Sequence, residues 1–205
     1  MRKNFGVKTW LYSMPVFIVA AYDENGLPNA MNAAWGGVYT DNMVGICLAE
    51  EHKTTKNILA TRAFTVSMGT ADRVKNLLAA KAFTVSMGTV DKLVECDYVG
   101  IVSGNKEPDK FAHAGFHAVK SAFVNAPVIK ELPMTLECEL VSYDPETCFM
   151  TGRIVNISVD EAVLGGDGKV DVTKLKPITY DPIHHDYLEI GKKVGNAFSD
   201  GKKLK

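Results

Sequence analysis

Between positions 16 and 22 the chain runs Val-Phe-Ile-Val-Ala-Ala-Tyr, an unbroken apolar stretch rich in strand formers, and the Asp23-Glu-Asn-Gly26 that follows carries the Asn-Gly signal of a hairpin turn. The pattern predicts paired strands over 16–22 and from Pro28 towards Trp35. Met43 to Ala49 reads as a third strand, Thr54 to Arg62 as a short helix opened by hydroxyl caps, and Ala63 to Met68 as a fourth strand. Further on, Met134 to Tyr143 and Cys148 to Val159 flank Asp144-Pro-Glu-Thr147, a turn-forming tetrapeptide with proline where a type I turn wants it. With Tyr143 facing Cys148, antiparallel pairing sets Met134 against Ile157, Leu136 against Val155, Leu140 against Thr151 and Cys138 against Arg153. Cys138 and Cys148 then sit roughly 17 Å apart along the ladder, so no disulfide between them is expected.

Many strands, few short helices and no regular strand-helix alternation argue against a doubly wound sheet. A mainly β protein with short helices, built as a barrel or sandwich, is expected. The stretch from Leu164 onward, with Gly165-Gly-Asp-Gly168, Pro177 and Pro182, is expected to wrap the outside.

One internal repeat changes that picture. Lys56 to Arg73 recurs as Lys75 to Lys92, with 13 of 18 aligned residues identical and a period of 19. Two copies are too few for a solenoid, so this is a tandem duplication of one helix-strand unit within 56–92. Asp72 can cap a second helix whose Val74, Leu77 and Leu78 form an apolar stripe. A single barrel position is available to the two equivalent strands; the other copy must add to an edge, displace a neighbour or exchange with a second subunit. Removing one period leaves 186 of the 205 residues, which suits one domain spanning 1–205.

Composition narrows the function. Hydrophobic residues make up 46% and charged residues 23%, and a net charge of −1 offers no track for a nucleic-acid backbone. The apolar run at 16–22 is too short to span a membrane. Cys47, Cys96, Cys138 and Cys148 show no C-x-x-C pairing and read as buried thiols of a reducing, cytoplasmic compartment. His113 and His117 have the i, i+4 spacing of a metal pair but no third ligand, and Gly165-Gly-Asp-Gly168 lacks the spacing of a dinucleotide fingerprint. His184-His185-Asp186 reads as part of a solvated loop. No nucleophile-base arrangement can be nominated from spacing, which fits chemistry that belongs to a cofactor.

Five segments carry a resemblance: Pro15-Val-Phe-Ile-Val19 with Asp23 to Gly37; His52-Lys-Thr-Thr-Lys-Asn-Ile58 followed by Ala-Phe-Thr-Val; Asp97 to Gly104 with Asp109-Lys-Phe111 and Ala114-Gly-Phe116; Leu132 to Leu140; and Tyr187-x-x-Ile-Gly-Lys-Lys-Val-Gly195. In this order they resemble the flavin reductase-like, FMN-binding split-barrel family and, within it, the flavoredoxin-like proteins. The resemblance implies a split β-barrel, here with an extra duplicated helix-strand unit, acting as a homodimer. It implies electron transfer through bound FMN, with NADH, NADPH or a redox protein as donor. Two other readings stand beside an FMN-dependent oxidoreductase of the flavin reductase type: a non-enzymatic flavoprotein electron carrier, and a duplication-bearing variant with impaired flavin binding.

Cofactor-binding residues follow from the resemblance. His52, Lys53, Thr54 and Thr55 stand where a helix begins, and free amides with two hydroxyls and an ammonium suit a phosphate; the other reading is a simple helix cap. Asn29, Ala30, Met31, Asn32, Ala33, Ala34 and Trp35 would lie along the isoalloxazine, or alternatively form a half-buried strand with Trp35 in the core. Cys47, Leu48 and Ala49 would approach from the neighbouring strand. Ser103, Lys110 and Phe111 are candidates from across a dimer interface, against which stand a surface lysine and a core phenylalanine. Copy one keeps the Lys53-Thr54-Thr55 lead-in that copy two lacks, so copy one's helix is expected to serve the phosphate.

Overall fold

The apolar run at 16–22 is continuous because its strand is covered on both faces. In the computed structural model, which describes residues 2–61 and 81–204, β2 (Phe17–Tyr22) lies between β3 (Pro28–Ala33) and β6 (Ala82–Met87). Ile18 and Ala20 join one apolar cluster with Ala30, Val99, Phe111 and Ile129, while Phe17, Val19 and Ala21 join another with Ile46, Ile58, Phe83 and Met150. Burial on both sides removes the polar alternation that a one-sided strand would show. The turn between β2 and β3 is a five-residue loop, Asp23 to Leu27, whose Asp23 carboxylate accepts from the amides of Asn25 and Leu27, both at 2.9 Å. Gly26 there has φ +78°, the left-handed conformation that glycine adopts without steric cost.

The main sheet also contains β4 (Gly36–Thr40), β5 (Met43–Cys47), β9 (Met134–Asp144) and β10 (Phe149–Val159), while β1 (Met14–Pro15) belongs to a separate three-stranded sheet. Its order among the described residues is β3-β2-β6-β9-β10-β5-β4, antiparallel throughout. This curled antiparallel sheet, with few short helices, is the mainly β barrel that the pattern predicts and the split-barrel architecture that the resemblance implies. Helix α1 (Lys53–Ala60) packs against β2 and β3, and α2 (Leu93–Ile101) lies against β3. A small hairpin, β7 (Ala118–Lys120) and β8 (Pro127–Ile129), follows.

Helix α1 belongs to copy one, and the barrel strand β6 belongs to copy two. The predicted strand at 63–68 and the second repeat helix lie outside the described residues. In each copy seven positions separate the first lysine from the first strand alanine (Lys56 to Ala63, Lys75 to Ala82), so deleting one period, residues 63–81, preserves the junction between α1 and β6. A variant with that deletion is expected to fold with a thermal midpoint within a few degrees of the full chain, because inserted length changes closure entropy only slowly. Loss of the cooperative transition would refute this.

The β9–β10 register differs from the sequence prediction. Tyr143 faces Met150 rather than Cys148, Met134 faces Val159, Leu136 faces Ile157, Leu140 faces Gly152 and Cys138 faces Ile154. The connecting loop holds four residues, Pro145 to Cys148, and Cys148 takes a positive φ of 57°, an option the tetrapeptide signal does not reveal. The Asp144 carboxylate supports this loop, accepting from Glu146 N at 2.9 Å and Thr147 Oγ1 at 2.7 Å. Two bulges, after Thr151 and after Ile154, complete the shift. All four cysteines are free thiols, but only Cys96 and Cys138 are buried as expected; Cys47, at the end of β5, is exposed and Cys148, in the β9–β10 loop, is half-buried.

The C-terminal stretch, expected to wrap the outside, instead puts Ile178 into the core and pairs with the barrel's start. β11 (Ile178–Asp181) bonds to β1 on one side and to β12 (Asp186–Glu189) on the other. The Tyr12 hydroxyl donates to the Asp181 carboxylate, tying the N-terminal arm to this hairpin. No helix among the described residues is long and apolar enough to cross a membrane.

Candidate functional site

Strand β5 ends at Cys47, and the chain is then pinned. Leu48 N donates to Cys148 O at 2.8 Å and the Tyr143 hydroxyl donates to Leu48 O at 2.9 Å. His52 sits in extended conformation at the head of α1, its carbonyl accepting from Lys56 N at 3.0 Å, and its side chain provides no cap. The amides of Lys53, Thr54 and Thr55 therefore have no hydrogen-bond acceptor among the described residues, which leaves the positive end of the helix dipole unneutralised.

The side chains on this first turn are unequal. Thr54 is buried and its hydroxyl donates to Asn29 Oδ1 at 2.7 Å, fastening α1 to β3. That proton is spent, so Thr54 has none to give an anion. Thr55 Oγ1 is buried with no partner among the described residues. Lys53 Nζ leans back to Asn57 Oδ1 at 2.7 Å and lies 3.7 Å from the Asp23 carboxylate. A free helix N-terminus, an orphaned hydroxyl and an ammonium are donors that a phosphate can satisfy.

Alongside lies a cleft of about 280 Å³. Met31 to Trp35, Cys47 and His52 form one side, and Asp97, Gly100 and Ile101 from α2 with Tyr180 and Tyr187 from the C-terminal hairpin form the other. Gly100 makes the approach possible, because a Cβ there would stand 2.8 Å from the Cβ of Asn32. Asn32 Nδ2 donates to Cys96 O at 3.2 Å, and the Tyr187 hydroxyl donates to Asp97 Oδ1 at 2.7 Å. Burial first, and then the bond to Asp97, push the Tyr187 phenol well above its usual range, so it remains a donor. An adjoining cleft of about 340 Å³ shares Ala34, Trp35 and Cys47 and is closed by Leu11, Val38, Tyr39 and Phe149. Trp35, which the half-buried-strand alternative placed in the core, is 54% exposed.

Met31, Asn32, Ala33, Ala34, Trp35, Cys47 and His52 thus share one cleft, with Asn29 joined to it through Thr54. Ala30 and Leu48 are buried in the two apolar clusters, and Ala49 O takes the His52 amide at 3.3 Å. Ser103 lies in an exposed turn whose next residue, Gly104, packs on Asn29, while Asn105 Nδ2 donates to Glu51 O at 2.9 Å; this turn therefore flanks the start of α1. Lys110 is buried, not on the surface, and its ammonium caps α2 by donating to Val99 O and Val102 O, both at 2.9 Å. Phe111 is a core residue, edge-on to Phe116. Their backbone and packing roles leave both outside the residues that line the two clefts. His117 and His113 pair with Glu131 and Glu107 respectively. Asp97, Gly100, Tyr180 and Tyr187 are cleft residues that pattern reasoning did not nominate; no local period links positions ninety residues apart.

The buried amine of Lys110 has a measurable consequence. Burial lowers its pKa from 10.5 to about 8. Below about pH 8 both folded and unfolded chains carry the proton and the full burial cost is present. Between there and the unfolded value the unfolded chain holds a proton that the folded one has released, so folding becomes more favourable as pH rises. Urea unfolding from pH 7 to 10 should show wild-type stability climbing relative to Lys110→Met, by roughly 1–3 kcal/mol. Parallel pH curves for the two proteins would contradict the assignment.

Comparison with known proteins bears on the family and the fold. The sequence model described as "Flavin reductase like domain" matches residues 10–181. Flavoredoxin of Desulfovibrio vulgaris (Miyazaki F) superimposes with a TM-score of 0.84 at 32% identity, covering 98% of this chain and 100% of its own. Flavoredoxin from Methanosarcina acetivorans gives a TM-score of 0.79 at 24% identity with full coverage of both chains, a likeness of fold. An uncharacterized protein of Aquifex aeolicus (strain VF5) is 31% identical over 176 residues, 80% of this chain and 78% of its own length.

Proposed function

The chain belongs to the flavin reductase-like domain family, and from that premise we propose that it binds FMN between β3, α1 and α2 and passes electrons through it as an oxidoreductase. The observation that carries this reading is the head of α1: uncapped amides, Lys53 and the unpartnered Thr55 hydroxyl stand beside a cleft walled by β3. Bound FMN would supply acceptance of a hydride and release of single electrons. Lys53 and the first-turn amides hold its phosphate, and the small residues of β3 bring backbone close to its ring. Trp35 and Ile101 limit water, and Asn32, Asp97 and Tyr187 furnish the polar wall. No side chain need act as acid or base.

The intact lead-in favours this over a variant with impaired flavin binding. Lys53, Thr54 and Thr55 stand on copy one's helix next to Asn29, while copy two supplies β6. Exposed Trp35, Val38 and Tyr39 at the β4 edge provide an apolar face for a homodimer. A nicotinamide stacking on the flavin from the open side is the proposed donor. Mixing FMN-loaded protein with NADH or NADPH should oxidise the nucleotide with no other protein present. Oxidation that depends on an added redox protein would establish the carrier reading instead.

A further inference from the structure

Both carboxamide hydrogens of Asn32 are engaged. Nδ2 lies 3.2 Å from the Cys96 carbonyl oxygen and, more loosely, 3.4 Å from the Tyr187 hydroxyl. A backbone carbonyl can only accept, so the atom turned toward Cys96 must be the nitrogen. The Tyr187 hydroxyl commits its own proton to Asp97 Oδ1 at 2.7 Å and thereby presents only lone pairs to Asn32. Asp97 therefore sets the direction of a chain drawn from β3, α2 and β12. The consequence falls at the other end of the amide. Asn32 Oδ1 accepts no hydrogen bond among the described residues, and the side chain belongs to the cleft wall.

We propose, resting on the flavin reading above, that Asp97 and Tyr187 are positioning residues that hold Asn32 Oδ1 as an acceptor for the imide N–H of the bound ring. A ring that offers a proton there completes the amide's bonding; one that offers a lone pair or a methyl group leaves Oδ1 unpaired against it, with a desolvation cost. The flavin imide N3–H is a donor whether the ring is oxidised or reduced, so this contact selects the ligand and not its redox state. Without the Tyr187 acceptor, Asn32 is held by the 3.2 Å bond to Cys96 O alone, its Oδ1 is less firmly aimed, and the selection weakens.

Fluorescence titration of FMN and of its N3-methyl derivative into the full chain tests this. Wild type should prefer FMN by about tenfold, the worth of one hydrogen bond with its penalty for loss. Tyr187→Phe removes the link to Asp97, and Asp97→Asn lets an amide donate to the hydroxyl and turn it around. In both, the preference should fall to about threefold or less. A structural disturbance alone would weaken both ligands together and leave their ratio unchanged. Asp97→Asn preserves side-chain volume and supplies the answer should Tyr187→Phe fail to fold. Wild type binding both ligands equally, or variants keeping the full preference, would overturn the proposal while leaving the flavin reading intact. No binding of FMN by wild type would overturn both.

Discussion

Phe83→Ala is expected to cost about 3–5 kcal/mol, the largest loss of stability from any single truncation proposed for this chain. Phe83 is completely buried in β6 and packs among Val19, Ile46, Ile58, Cys138 and Met150 inside the curl of the sheet. Its ring occupies the space over Gly152 of β10, where an added Cβ would stand 2.4 Å from the ring's Cζ. The surrounding strands are held by ladders on both sides, so they cannot collapse into the hole. Against a typical total of about 5–15 kcal/mol, such a loss leaves a marginal protein. Urea unfolding reads the effect directly, and a change below about 1 kcal/mol would mean that copy two's strand does not hold the central position.

The second large effect concerns the head of α1. Lys53→Ala with Thr55→Ala should weaken FMN binding by about 100-fold, since each contact to a dianion is a charge-assisted bond of about 1.5–3 kcal/mol and the free amides remain. Thr54→Ala behaves differently. It breaks the 2.7 Å bond to Asn29, so its principal effect is on the docking of α1 to β3, expected at about 1 kcal/mol of stability. Isothermal titration and thermal melts on the separate variants distinguish the two roles. Equal losses of affinity from Thr54→Ala and Thr55→Ala would show that the hydroxyls are interchangeable.

Much of the barrel is legible in the chain. The run at 16–22, the strand at 43 and the long hairpin at 134–159 announce themselves because local composition and burial agree there. Strand β4 is hidden because Gly36-Gly37 reads as a turn, and Val38 and Tyr39 face outward with no buried partner to give them a period. The register of β9 and β10 depends on a cysteine in a left-handed conformation, which side-chain chemistry does not encode. The repeat poses a different problem. Nearly identical copies have nearly identical propensities, so local sequence does not say which strand enters the barrel; Phe83 beneath β10 marks copy two's strand there.

The site divides similarly. The hydroxyl pair at 54 and 55 marks a helix start, but its unequal use follows from Asn29, a partner 25 positions away on another element. Lys110 resembles a surface lysine in sequence and becomes a buried cap only because α2 ends above it. Asp97 and Tyr187 are brought together by the C-terminal hairpin folding back over α2.

The central claim, that the head of α1 is a phosphate site serving a flavin cleft, is tested most directly by titrating FMN and riboflavin separately into the purified protein and following flavin fluorescence. The two ligands share a ring and differ by the phosphate alone. Saturable binding of one FMN per chain, with riboflavin at least about tenfold weaker, is the predicted result. Equal affinity for the two, or no binding of either, would contradict it.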